Sequence, residues 1–246
     1  MNRKRKFILF AFTFILSIML SGYAEYQNVY GASEPQRIIQ TYGEAELTAQ
    51  PDLARLSFTI ETYSKSAQEA VKKNAEMTNT VRKTLLDFGL AEKNLKTGSY
   101  RLYSYRERPK EISDIKEEQI TYQATNEIIV SILQLKIVGE IVDLAVRAGS
   151  NNINYISFEL KNPQDLMMEA LTIAIGQASR KADAIAEGAG ETIVKLHGVR
   201  EERTAYTPFR LQENELQREM AMGVGPTPIN PAEVTVRAAV IAEFTF

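Results

Sequence analysis

The chain has 246 residues, 44% of them hydrophobic and 24% charged, with 29 Lys+Arg against 31 Asp+Glu, one His and no Cys. That apolar fraction supports a sizeable core and excludes a globally disordered or collagen-like chain. Without cysteine there are no thiol nucleophiles, zinc fingers, iron–sulfur clusters or disulfides; a single His leaves little for a multi-histidine metal site, and balanced charge argues against bulk nucleic-acid binding.

Arg3, Lys4, Arg5 and Lys6 precede an uncharged apolar run from Phe7 to Leu20, with Gly22-Tyr23-Ala24 directly after it. A positive segment, a short apolar run and a small-x-small site predict an export signal over 1–24, with Tyr30-Gly31-Ala32 as a second, weaker cleavage site. An uncleaved N-terminal anchor is the alternative, and the only membrane association the sequence suggests. Removing the signal takes away four cationic side chains and no acidic ones, so the remainder is net acidic. Such a chain is soluble and is not drawn to anionic lipid. Residues 25–36, polar with Pro35, read as a linker, and 37–246 as the folded domain, with a division into two lobes left open.

Ile38 to Thr48 and Leu53 to Tyr63 alternate with period two and predict strands, broken by Gln50-Pro51-Asp52. Ser66 with Glu69 has capping-box spacing and opens a helix whose stripe is Val71, Ala75, Thr78, Val81, Leu85 and Phe88, ended by Gly89. Strands follow at Leu95 to Arg106 and at Ile120 to Leu133, where Ile128, Val130 and Ile132 alternate with Glu127, Ile129 and Ser131. The charged stretch 106–118 between them reads as the solvated tip of a long hairpin.

A second helix is predicted from about Gln134 to Ala148 and a strand at Ile153 to Leu160. Asn162-Pro163 then predicts an N-cap and first-turn proline for a third helix to about Glu187, lined by Leu166, Ala170, Ile173, Ala174, Ala178, Ala182, Ile185 and Ala189. Its alanines imply close packing. Gly188 and Gly190 end it; Thr192 to Arg203 and Val234 to Phe246 are the last long strands. The stretch 204–231 between them holds four of the eight prolines and reads as a mobile loop. The expectation is an α+β fold: mixed, largely antiparallel sheets with three long helices packed on them, in the order β-β-α-β-β-α-β-α-β-β.

The runs Tyr42-Gly43-Glu44-Ala45-Glu46-Leu47, Gln50-Pro51-Asp52-Leu53-Ala54 and Tyr122-Gln123-Ala124-Thr125-Asn126 resemble the early motifs of the SIMPL-domain family. Ala148-Gly149-Ser150-Asn151-Asn152-Ile153, Ile156-Ser157-Phe158 and the alanine-rich run from Ala178 to Ala186 match its later ones, so the resemblance covers about 38–246. It implies an exported, oligomer-forming, non-enzymatic protein of the kind found in periplasmic oxidative-stress defence, and brings no catalytic residues or cofactor with it. The charged tip around Pro109 to Glu118 departs from the family pattern and bears on the partner surface.

Glu44 and Glu46 share a strand face with Asp52 just beyond a turn; paired carboxylates serve acid/base chemistry or calcium, but a solvated strand face accounts for them more simply. His197 has no Ser, Cys or Asp motif beside it, and neither Gly188 and Gly190 nor Gly223 and Gly225 reach a nucleotide-binding pattern. Tyr100, Tyr103, Tyr105 and Tyr122 alternate with Arg101, Arg106 and Arg108 on the long hairpin. Tyr103 and Tyr105 share a face; ordinary cross-strand packing with the hydroxyls in water accounts for these tyrosines more simply, while Tyr and Arg are also the residues enriched at interface hot spots. Met220 and Met222 suit subunit docking, or plain disorder of the loop, better than oxidant scavenging. The candidate interface is therefore Tyr103, Tyr105, Arg106, Arg108, Met220 and Met222. No cofactor, metal or nucleic acid is expected; a homo-oligomer and an envelope protein partner are. A carboxylate-based envelope hydrolase and a small-ligand or peptide-binding module are the alternatives.

Overall fold

The structure, a computed structural model, describes residues 37–107, 119–211, 227 and 229–246. The expected signal and linker, most of the charged tip, Arg108, Met220, Met222 and the side chain of Arg106 lie outside the described residues.

The elements run β1 (Ile38–Ala49), β2 (Leu53–Ser64), α1 (Ala67–Asp87), β3 (Leu95–Glu107), β4 (Gln119–Ile132), α2 (Val138–Arg147), β5 (Asn152–Glu159), α3 (Gln164–Gly188), β6 (Lys195–Thr207), β7 (Phe209–Leu211) and β8 (Val234–Thr245). This is the expected α+β order, with one short strand added. β7 lies in the stretch read as loop, where three residues are too few to show periodicity. α2 is only 10 residues long, its first turn being a separate 3-10 turn at Leu135–Ile137.

Two sheets form, and every pairing in them is antiparallel. Their orders are β1-β8-β6 and β3-β4-β2-β5-β7. The Gln50-Pro51-Asp52 break therefore carries the chain from the smaller sheet to the larger, α3 returns it to the smaller at β6, and β6 to β7 crosses to the larger again.

Each sheet has its own apolar cluster. In the larger one, Ala54, Leu56, Phe58 and Ile60 of β2 and Ile128, Val130 and Ile132 of β4 pack against Val81 and Leu85 of α1 and Val138, Ile141 and Val142 of α2. In the smaller one, Val236, Ala238, Val240, Ala242 and Phe244 of β8 and Ile39 of β1 meet α3. The alanines of α3 fall every four residues, at Ala170, Ala174, Ala178, Ala182 and Ala186, all buried. Ile173 and Ile185, expected on this stripe, are exposed instead. A row at i±4 spacing runs obliquely along a helix, and with methyl side chains alone it lets the backbones approach closely. The approach is closest at Gly43, where an added Cβ would fall on the Ala174 carbonyl oxygen and 2.9 Å from Ala178 Cβ. Thr41 Oγ1 donates to the Ala178 carbonyl at 2.8 Å in the same place.

Four details differ from expectation. The capping box does not close: Ser66 is the N-cap of α1 without a side-chain bond, and the Glu69 carboxylate accepts from Ser64 Oγ and pairs with Lys73. The buried stripe of α1 is Ala70, Asn74, Thr78, Val81 and Leu85, so its first two turns are offset by one residue from Val71 and Ala75. Pro163 itself occupies the N-cap position of α3, and Asn162 donates to Asp165 instead of capping. Gly89, Gly149 and Gly190 end the helices with positive φ, while Gly188 is still within α3.

Candidate functional site

Both helices of the larger half pack on one face of the five-stranded sheet. Strand alternation therefore leaves Arg55, Ser57, Thr59, Glu61 and Tyr63 of β2 on the opposite face, with Gln123, Thr125 and Glu127 of β4 and Arg101, Tyr103 and Tyr105 of β3. No helix lies over this face among the described residues.

Two bulges shape its centre. The pairing of β3 with β4 shifts between Thr97 and Tyr100, and that of β5 with β2 between Ser57 and Phe58. Bulges re-aim side chains. The first brings Ser99 and the bare backbone of Gly98 to the Glu127 carboxylate: an added Cβ on Gly98 would lie 2.6 Å from Glu127 Oε2. The second turns Asn154 onto the same face as its neighbour Tyr155.

The result is a network from four strands. Glu127 Oε1 accepts from Ser57 Oγ at 2.5 Å and Oε2 from Ser99 Oγ at 3.0 Å. Asn154 Nδ2 donates to Ser57 Oγ at 2.8 Å, and Thr59 Oγ1 donates to Asn154 Oδ1 at 3.0 Å. Ser57 is fully buried and Thr59 nearly so, while Glu127 is half-buried. Ser57 holds this carboxylate from the buried side, while Ser99 is half-buried and Asn154 exposed, so the network ties β2, β3, β4 and β5 together across the face. Replacing Glu127 with alanine is expected to strand the buried Ser57 hydroxyl and to cost about 2 kcal/mol in urea unfolding.

Around the network stand aromatic and basic groups. Arg55 pairs with Glu159, Arg210 lies 5.8 Å from the Tyr155 ring centre, and Arg101 lies 5.9 Å from that of Tyr103. Burial, followed by the Glu127 charge, pushes the Tyr155 hydroxyl above its ordinary pKa. Tyr63 is raised chiefly because its hydroxyl donates to Glu61, at 2.9 Å; it also accepts from Gln123. Tyr63, Tyr103 and Tyr105 are each between 41% and 50% exposed, so these rings stand out from a face whose centre is dry.

Tyr103 and Tyr105 thus share a face, as their spacing indicated, and that face is the open one. Tyr100 and Tyr122 belong to the other side, opposite Asn126 and Ser104. The carboxylates singled out by spacing do not converge. Glu46 takes a bidentate contact from Arg237, whose hydrogen bond holds its carboxyl below the usual range. Asp52 Oδ1 accepts from the Lys161 amide at 2.6 Å, and Glu44 stands exposed on the smaller sheet. His197 is exposed at an irregularity of β6. Glu127, Ser57, Ser99 and Asn154 were missed; the alternation around Glu127 marked its face, but its partners are distant in sequence.

Among the described residues no three His, Asp or Glu side chains are grouped to hold a metal, and no helix is long and apolar enough to cross a membrane.

The chain is 27% identical over 190 residues to the 26 kDa periplasmic immunogenic protein of Brucella melitensis, covering 77% of this chain and 76% of that protein. It is also 27% identical over 173 residues to the uncharacterized protein YggE of Escherichia coli K12, covering 69% and 68%. The SIMPL family model, described as a protein of unknown function (DUF541), matches residues 39–244, both sheets and all three helices included, and the chain therefore belongs to the SIMPL family.

Proposed function

We propose that this chain is an exported protein of the cell envelope that works by self-association and partner binding through the open face of the five-stranded sheet, in defence against oxidative stress and without catalytic turnover. The observation that carries the reading is that face: exposed Tyr63, Tyr103 and Tyr105 with Arg101, ranged around a four-strand hydrogen-bond network seated on buried Ser57 and Thr59. Rigid aromatic and arginine side chains are the usual anchors of interfaces, and a pre-ordered face loses little entropy on binding. Export is supported by the basic, apolar and small-residue segments of 3–24 and by the periplasmic name of the Brucella relatives. The absence of turnover is supported by the separate ties of Glu46, Asp52 and Glu127.

Native mass spectrometry and light scattering on the chain without residues 1–24 test this. A defined oligomer is expected, with the double variant Tyr103→Ala/Tyr105→Ala dissociating at a concentration about tenfold higher or more. A strict monomer at micromolar concentration, or an oligomer untouched by the double variant, overturns the assembly reading. For the stress role, a strain lacking the protein should regain peroxide survival with the wild-type chain and not with the double variant.

A further inference from the structure

A different observation lies on the smaller sheet. The face of β1-β8-β6 turned away from α3 carries a cleft of about 430 Å³, lined by Tyr42, Glu44, Glu46, Arg203, Arg237 and Ala239. That volume is within the range of small-ligand sites.

Its middle row is set by register: Glu44 of β1 pairs with Ala239 of β8, which pairs with Arg203 of β6. The pairing of β6 shifts between Glu201 and Arg203, so Glu202 is the extra residue. Without that bulge Glu202 would face Ala239 and the row would hold two acids. With it, Glu202 is drawn off to Arg200 at 2.6 Å, and a cation takes the position opposite Glu44.

Two strand spacings separate Glu44 from Arg203, about 10 Å between backbones, with only the Ala239 methyl between them. Their head groups form no ion pair with each other, and neither has another ion-pair partner among the described residues. One wall is the neutralised pair Glu46–Arg237, the next row along. The other is the Tyr42 ring, steadied by Lys181, whose ammonium donates to the Tyr42 carbonyl at 2.8 Å. Gln177 of α3 accepts the Glu44 amide at 2.7 Å and fixes the rim.

We propose that this cleft binds a small zwitterion, a free amino acid or short peptide with both termini unblocked. Glu44 takes the ammonium, Arg203 takes the carboxylate through its two-pronged guanidinium, and a small apolar body lies over Ala239 against Tyr42. The site is on the other sheet from the association face, so each reading stands or falls alone.

Isothermal titration of the chain without residues 1–24 with L-alanyl-L-alanine is the test, beside the N-acetylated and the C-amidated dipeptides. The free dipeptide is expected to bind, with about tenfold or greater loss for either blocked form and for Glu44→Gln or Arg203→Gln, while Arg101→Gln on the other sheet binds as the wild type does. L-alanine alone distinguishes an amino-acid site from a peptide site, and binding of either satisfies the proposal. No binding of L-alanine or the free dipeptide up to about 10 mM, equal binding of the blocked dipeptides, or full affinity in a folded Arg203→Gln variant overturns it.

Discussion

Gly43→Ala is expected to destabilise the protein by about 3 kcal/mol or more and to lower its melting temperature by about 10 °C. The added methyl falls on the Ala174 carbonyl oxygen and lies 2.9 Å from both Ala178 N and Ala178 Cβ. Most of these neighbours are backbone, which cannot swing aside like a flexible side chain. Relief therefore requires α3 to move off β1, which would open the alanine seam and stretch the Thr41–Ala178 hydrogen bond. The same change at Gly188, where nothing lies within 4 Å and the residue is helical, is expected to stabilise by about 0.5–1 kcal/mol. Calorimetry of the two variants checks both signs; equal melting temperatures would mean the helix does not sit as close as the packing requires.

The second large effect belongs to Asn74. This fully buried amide on α1 donates to the carbonyls of Ile60 on β2 and Ala124 on β4, at 2.8 and 2.9 Å, and so joins the helix to two adjacent strands. Its oxygen has no partner, and reversing the amide would set oxygen against two carbonyls, so the orientation is fixed by its surroundings. Asn74→Asp has the same shape and places a carboxylate against those carbonyls. The cost at neutral pH is expected to be several kcal/mol. Protonated, the new side chain regains one donor; its folded-state pKa is therefore raised above the unfolded value of about 3.9. The folded variant then binds more protons than the unfolded one, and its stability falls as pH rises through and beyond that value. Urea unfolding across the acid range should show Asn74→Asp closest to wild type near pH 4 and furthest from it near pH 7. A gap independent of pH would contradict the buried-donor account.

These two residues also mark where the sequence stopped being legible. The order of elements was readable because the strands alternate cleanly and α3 advertises close packing by its alanines. Which strand those alanines touch was not, since β1 and α3 are more than a hundred residues apart and Gly43 in a strand has no local signature. Asn74 was passed over because a polar residue on a helix is normally assigned to the solvent face, which shifted the expected stripe by one residue. The open face of the larger sheet was half legible: spacing alone put Tyr103 and Tyr105 together. The Glu127 network needs β2, β3, β4 and β5 assembled, with a bulge on each outer strand, and no local pattern encodes that. Arg203 is a similar case, because strict alternation would have put Glu202 on the cleft side of the smaller sheet.

The absence of cysteine supplies the most direct test of the open face. One introduced thiol is the only thiol in the molecule, so its labelling rate reports its own exposure alone. Arg101→Cys places it on the open face, and Glu76→Cys on the exposed flank of α1. Maleimide labelling followed from nanomolar to high micromolar protein should slow severalfold at position 101 as the oligomer forms and stay constant at position 76. Unchanged labelling at 101 while the protein assembles, or protection at 76 instead, would place the association surface elsewhere and contradict the account.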